Sequence, residues 1–314
     1  MSTTSEKPHS TEYFGKERHF WWNQDFLALL KDRIAFPEAR SLLDVGCGKC
    51  HWTAIATTFF PNLENIVGVD FETTWVTGAR DALAGHLSSA LGHAGRPLEL
   101  DFVASDAHSL PFPDKSFDVV TCQTVLMHLA RPEDAVAEMF RVVRPGGLVL
   151  LAEPENSLNF HRLEPAAATL SLDELTARYR FWTATHFARK RTTGSDFDLG
   201  HRLTALLAAN GALEPRAYLN DRANAMAPPY AEPYQEAFIA AGRAWTTLLA
   251  TDSPTRRTYT ALAREAGLTD SEIEDAFALE VRLSATRKQK IDEQTWCHGG
   301  GSLHYIAWGR KPNG

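Results

Sequence analysis

Three carboxylates and two glycines are the residues of this chain whose types and spacing could do chemistry. Asp44-Val45-Gly46-Cys47-Gly48-Lys49 lies between a short apolar run and a helix-period segment. Glycines at such a junction let the backbone turn tightly and approach a ligand with no side chain in the way. Asp70 ends the next apolar run, about the spacing at which an acid reaches a ribose diol in dinucleotide-binding folds. Asp106 ends the third. Any one of these acids could equally cap a helix or a turn; three in register are harder to assign to capping.

The elements that would position them alternate in the manner of βαβ units and a parallel sheet. Residues 41–47 read as a strand running into the glycine loop, and Trp52, Ile55, Ala56, Phe59 and Phe60 follow at helical spacing until Pro61 stops them. Residues 65–70 form a second strand, followed by a helical stripe of Trp75, Ala79, Leu83 and Leu87. Strands are expected at 98–104, 117–122 and 148–152, with a helix at 132–143 and a turn at Pro145-Gly146-Gly147. Beyond Glu153 the alternation breaks. A helix-prone stretch at 171–191 precedes a helix at 198–210 capped by Gly211, then a strand at 212–219. Residues 220–300 carry only helical patterns, with a break at Pro228-Pro229 and an N-cap at Asp270 before a helix at 272–283. A last strand at 302–308 closes the sheet. This divides the chain into an N-terminal helical cap (1–40), an α/β core (41–156), a helical insertion (157–195), more core (196–220), a second helical insertion (221–300) and the last core strand (301–314). The two insertions are expected to form a lid over the carboxyl ends of the strands, where open α/β sheets bind ligands.

With 314 residues, 44% of them hydrophobic and 23% charged, the chain can bury a core without disulfide staples. Net charge of −7 argues against a surface built to neutralise a phosphate backbone, so nucleic acid is not the expected partner, even with the local basic run Arg189-Lys190-Arg191. Four cysteines do not make a secreted scaffold, the Ser/Thr-rich start from Met1 to Ser10 has no apolar leader pattern, and no apolar run reaches membrane-spanning length. A cytoplasmic protein is expected.

The succession of motifs resembles the class I S-adenosylmethionine-dependent methyltransferases, in particular the small-molecule branch with the type-11 domain. Leu42-Leu43-Asp44-Val45-Gly46-Cys47-Gly48 is similar to that family's first motif, Val67-Gly68-Val69-Asp70 to its second, and Ser105-Asp106-Ala107 with Leu110-Pro111-Phe112 to its third. Phe117-Asp118-Val119-Val120, Leu126-Met127-His128-Leu129 and Arg141-Val142-Val143-Arg144-Pro145-Gly146-Gly147 complete the series. The resemblance covers residues 41–154 well and the insertions hardly at all. It implies a Rossmann-like α/β sheet, mostly parallel with an antiparallel last strand, and S-adenosylmethionine as cofactor with S-adenosylhomocysteine as product. It also implies cofactor-binding roles. Gly46 and Gly48 would pass beneath the methionine and ribose portions, with Asp44 supporting the loop or meeting the amino group. Asp70 would take both ribose hydroxyls with Phe71 beside it, Asp106 would face the adenine amino group and Ala107 would offer its backbone. Gln123 would lie near the methionyl end, as would Arg18 and Trp22, and His128 would serve as ligand contact or helix start. Cys50 departs from the family, which has a small residue there; its side chain should re-angle the junction of loop and helix.

Such a cofactor carries a cationic amine and a sulfonium and no pyrophosphate, which suits acid-rich strand ends. A nicotinamide reading fares worse, because the third glycine of its motif would fall at His51. Cys47-x-x-Cys50 lacks the second half of a zinc site, and no metal is expected. Intact acids disfavour a catalytically dead binding subunit, and Cys122-Gln123-Thr124-Val125 stands where methyltransferases of nucleic-acid bases carry a Pro-Pro motif. Methyl transfer from sulfonium needs alignment and exclusion of water, and a base only for an acceptor that loses a proton. Base candidates are His19, His161, His186, Glu153, Tyr230 and His298, none with a motif behind it. The insertions' aromatic residues, among them Phe181, Trp182, Tyr230 and Trp245, are either ordinary packing or a π-rich pocket. The expected acceptor is an aromatic or heteroaromatic small molecule of secondary metabolism, with no membrane partner, and a homodimer through the insertions is left open.

Overall fold

The computed structural model describes residues 18, 20–90, 98–161, 165–221 and 223–313, without the side chains of 88–90 and 159–161. In chain order the elements are α1 (Gln24–Ile34), β1 (Ser41–Val45), α2 (His51–Thr57), β2 (Asn65–Asp70), α3 (Thr73–Ala90), β3 (Glu99–Ala104) and β4 (Phe117–Gln123). There follow α4 (Pro132–Val142), β5 (Val143–Pro154), α5 (Asn156–His161), α6 (Leu172–Thr193), α7 (Leu203–Ala209) and β6 (Leu213–Leu219). The chain ends with β7 (Asn224–Met226), α8 (Pro233–Ala250), α9 (Pro254–Glu265), α10 (Asp270–Asp292), β8 (His298–Gly300) and β9 (His304–Arg310). It divides into two compact units.

The first unit comprises residues 22–154, 199–221 and 304–314. Its seven strands lie in the order β3-β2-β1-β4-β5-β9-β6. The first five are parallel, and β9 enters antiparallel between β5 and β6. Parallel strands are covered on both faces and so read as continuous apolar runs, which is why Ser41–Val45 and Phe117–Gln123 are buried almost throughout. The edges differ: β3 and β6 alternate between exposed and half-buried positions. On α4, Ala135, Val136, Met139, Phe140 and Val142 make a buried stripe, and Pro132 at the first turn supplies the preset φ that starts the helix.

Asp118, from the Phe117-Asp118-Val119-Val120 motif, ties three strands together where β1 begins. One carboxylate oxygen accepts the N–H groups of Arg40 (2.7 Å) and Ser41 (2.8 Å) and the Ser41 hydroxyl (3.0 Å), and the other pairs with Arg144 of β5. Burial pushes this carboxyl up, but the Arg144 guanidinium and the two N–H groups outweigh it and hold the pKa below the ordinary aspartate value. The stability it contributes is therefore present above the ordinary aspartate range and lost as pH falls through the depressed value.

The second unit, residues 1–21, 155–198 and 222–303, gathers both insertions into one body. Its helices begin on side-chain caps: Ser171 with Glu174, and Thr269 with Glu272, each form a reciprocal capping box. The cap of α10 is Thr269, one residue before the expected Asp270, because the hydroxyl one residue earlier pairs reciprocally with Glu272. Phe181, Trp182, Leu249, Tyr259, Leu268, Ile273 and Phe277 make one core, and Tyr230, Leu279, Leu283, Ile291 and Trp296 belong to a second. Between α6 and α10, Glu280 accepts from Arg178 (2.7 Å) and from the Trp182 indole (2.8 Å).

Three expectations need correction. Residues 220–300 are not purely helical, since β7 and β8 pair as an antiparallel ribbon. The helix expected at 198–210 is a single 3-10 turn at Gly200–Arg202 followed by α7. The helix α1, which falls within the expected cap of 1–40, lies in the sheet unit.

Replacing Asp118 with alanine leaves several N–H groups without their acceptor. We expect a loss on the order of 3 kcal/mol in urea unfolding; a loss below about 0.5 kcal/mol would refute the clamp.

Candidate active site

The loop Gly46-Cys47-Gly48 is stitched to the end of β2. The Val69 carbonyl accepts the N–H groups of both Gly46 (2.7 Å) and Cys47 (2.9 Å), and Gly48 donates to the Asp70 carboxylate at 2.9 Å. Gly46 and Gly48 have φ of +73° and +49°, the left-handed region that glycine enters without strain. A Cβ on Gly46 would lie 2.3 Å from a Val125 methyl, so only glycine fits beneath that side chain. The other oxygen of Asp70 accepts from Glu72 N–H at 3.0 Å. Each oxygen thus keeps a lone pair for a further donor.

Asp44, the fourth residue of β1, is fully buried. One of its oxygens accepts from the Thr53 hydroxyl at 2.6 Å, and the other is buried without a partner. Burial pushes its pKa up to about 7, the Thr53 hydrogen bond offsets part of this, and the nearby Asp70 charge adds to the rise. Gln123, at the end of β4, is also buried, and its amide nitrogen has no hydrogen-bond partner. Thus a carboxylate oxygen and an amide donor stand unsatisfied on β1 and β4, which are adjacent parallel strands.

Asp106 lies two residues beyond β3 and is exposed. The backbone N–H of His108 (2.9 Å), then its imidazole (2.7 Å), hold the carboxyl below its ordinary pKa despite some desolvation. Ala107 is half-buried in the same turn, and Phe71, directly after Asp70, is 74% exposed. His128 ends the single turn Leu126–His128.

Trp22 is buried: it stacks on Phe26 (6.1 Å between centroids) and tilts against Trp52 (5.7 Å) and His304 (5.8 Å), and its indole nitrogen has no hydrogen-bond partner. The Arg18 guanidinium lies over the Trp21 ring at 4.9 Å. Cys50 adopts φ +59° as N-cap of α2, with its sulfur 3.5 Å from the Ala79 carbonyl. The family's small residue is thus replaced at a left-handed position, where a Cβ is strained. The hydrogen bond with Cys50, then burial, push the Cys47 thiol well up, which opposes thiolate chemistry at Cys47. Among the described residues no three His, Cys, Asp or Glu side chains gather to hold a metal ion, and no helix is long and apolar enough to cross a membrane.

The base candidates fare unevenly. Glu153 is fully buried with both oxygens on backbone N–H groups, His186 pairs with Asp198 at 3.1 Å, and the Tyr230 hydroxyl is engaged by the backbone of Trp296. His298 lies in β8, and His19 and the side chain of His161 fall outside the described residues. Phe181, Trp182, Tyr230 and Tyr259 are packed core, and Trp245 packs against them.

A sheet ordered β3-β2-β1-β4-β5-β9-β6 with β9 antiparallel, a glycine loop after β1 and acids at or near the carboxyl ends of β1, β2 and β3 has the arrangement of the class I methyltransferase fold. Consistently, residues 43–151 match the family described as a methyltransferase domain. The chain is similar to the uncharacterized methyltransferase YcgJ of Bacillus subtilis, at 32% identity over 48% of this chain and 55% of that one. It is also similar to the ubiquinone/menaquinone biosynthesis C-methyltransferase UbiE of Stutzerimonas stutzeri, at 35% identity over 37% and 44%. The crystal structure of YcgJ overlays with a TM-score of 0.47 at 19% identity, covering 93% of this chain and all of that one. The chain spans about half the length of these curated relatives. S-adenosylmethionine suits the residues present: the unpartnered oxygen of Asp44 fits a cation, and the lone pairs of Asp70 fit hydroxyl donors.

Asp44 and Glu153, both pushed up to about 7 and both chiefly by burial, bind a proton more tightly folded than unfolded. Their contribution to the ligand-free protein is complete below the ordinary carboxylate range and is withdrawn as pH rises through about 7. For Asp44 the ceiling is on the order of 4 kcal/mol. Asp44→Asn should therefore flatten the fall in Tm between about pH 5 and pH 8; an unchanged slope would show that Asp44 does not titrate there.

Proposed function

We propose that the protein transfers a methyl group from S-adenosylmethionine to an aromatic or heteroaromatic small molecule. The observation that carries this reading is the acid-tipped edge of the sheet: Asp44 is next to last in β1, Asp70 is last in β2 and Asp106 lies two residues past β3, and the loop after β1 has the left-handed glycines that allow close approach. Carboxylates there favour a cation and a diol over a pyrophosphate. When bound, the cofactor supplies an activated methyl on a sulfonium whose departure as a neutral thioether needs no acid.

The chain's own work is then positional. Gly46 and Gly48 let the backbone pass under the ligand, Asp70 accepts from the ribose hydroxyls while holding Gly48 in place, and Asp44 answers the ammonium. The Gln123 amide donates at the same end. Holding the reacting atoms in line and away from water can supply most of the rate of such a displacement. The acceptor class draws on relatives named as demethylmenaquinone and quinone-biosynthesis C-methyltransferases, which makes ring carbon the first acceptor atom to try. Net charge of −7 supports a small molecule over nucleic acid.

Calorimetric titration with S-adenosylmethionine and S-adenosylhomocysteine tests this directly. Micromolar binding weakened at least about 30-fold in Asp70→Ala is expected, since two hydrogen bonds to a charged acceptor are removed. No binding of either ligand by well-folded wild type would sink the reading. Binding should also release a proton near pH 6.5 as Asp44 ionises beside the cation. Heats that differ between buffers of different ionisation enthalpy would report it, and equal heats would show that Asp44 keeps its protonation state.

A further inference from the structure

Glu153, the penultimate residue of β5, is fully buried, and its carboxylate is filled by the backbone of another segment. One oxygen accepts the N–H groups of Val125 (2.9 Å) and Leu126 (2.8 Å), and the other accepts that of Met127 (3.4 Å). Just before them Thr124 sits at φ +53°, with its N–H on the Ala152 carbonyl at 2.9 Å. A β-branched residue disfavours that conformation, so the reversal after β4 persists because β5 holds it on both sides. The held segment reaches the site in two directions. Upstream is Gln123, whose buried amide nitrogen lacks a partner; downstream is Val125, whose methyl lies over Gly46.

We propose that Glu153 is a positioning residue of the methyl-donor site: its buried carboxylate grips three consecutive N–H groups and so sets the loop that closes over the glycine turn. The inference rests on the methyl-transfer reading. An ordinary turn cap would need one acceptor at the surface. Here a carboxylate is drawn into the core, where burial pushes its pKa up to about 7 even against the three N–H donors. Both oxygens are committed to the backbone, so Glu153 acts through Val125 and Gln123 and not as the base that its acidity alone would suggest.

The test compares the full-length wild type with Glu153→Ala, Glu153→Gln and Val149→Ala, the last a buried truncation in the same strand chosen to match the stability loss. Two quantities are read: the Kd for S-adenosylhomocysteine by calorimetry, and amide exchange of residues 124–128 by mass spectrometry. Removing the acceptor of charge-assisted bonds should weaken binding about 30-fold in Glu153→Ala. Exchange at 124–128 should quicken there while that of β1 and β2 stays slow. Glu153→Gln keeps one acceptor oxygen and should fall between, and Val149→Ala should leave Kd within about threefold of wild type. Wild-type affinity in both Glu153 variants, or equal weakening by Val149→Ala, overturns the proposal; if Glu153→Ala does not fold, Glu153→Gln against Val149→Ala decides it alone. Wild type that fails to bind would instead overturn the methyl-transfer reading, and this inference with it.

Discussion

The Val69 carbonyl, which takes two N–H groups of the glycine turn at once, is the interaction on which the site depends. It leaves the turn no freedom to rise or slide relative to β2, and one of the two donors is Gly46, whose φ only glycine tolerates cheaply. From the other side Val125 presses on the same turn. A loop that would otherwise be free is thus held between its two neighbouring strands, β2 and β4, and the acids at the strand ends inherit that rigidity. Asp70 shows the economy of the arrangement, because the carboxylate that anchors Gly48 is also the one offered to a ligand.

Buried carboxylates are answered in two ways, by a guanidinium, as Asp118 is by Arg144 in the sheet unit, or without one. In the helical unit Glu280 meets a guanidinium and an indole N–H, so its charge is answered by side chains. In the sheet unit Asp44 and Glu153 have no such cation among their hydrogen-bond partners; hydroxyl and backbone donors answer them instead, and both are pushed toward neutrality. Polar groups placed this way weaken a core unless a ligand or a specific geometry recovers the cost of desolvation. They are therefore informative about function in a way that the surface ion pairs of this protein are not.

The parallel half of the sheet was legible in the sequence because strands covered on both faces must be apolar and must alternate with helices. The motif acids were legible for a related reason: they punctuate those strands at their ends. What escaped was long-range. The role of Glu153 depends on N–H groups of a loop more than twenty residues earlier, and backbone donors leave no trace in residue types. The ribbon of Asn224–Met226 with His298–Gly300 joins segments some seventy residues apart, one of them rich in glycine, and has no local signal. The aromatic residues of the insertions were ambiguous because a packed core and an open π-lined pocket draw on the same residue types. Only burial separates them, and it assigns Phe181, Trp182 and Tyr259 to packing.

That ribbon has an architectural consequence. Because β7 and β8 run side by side, the second insertion begins and ends at nearly the same place, and everything between Met226 and His298 is an excursion whose two ends are already joined. The entropic cost of lengthening such an excursion grows only with the logarithm of its length, and its ends do not move apart as it grows. Helices could be added, removed or exchanged there while β6 and β9 keep their register. The chain thus has the layout of an interchangeable cassette, in which a lineage can vary one module while the catalytic frame stays constant.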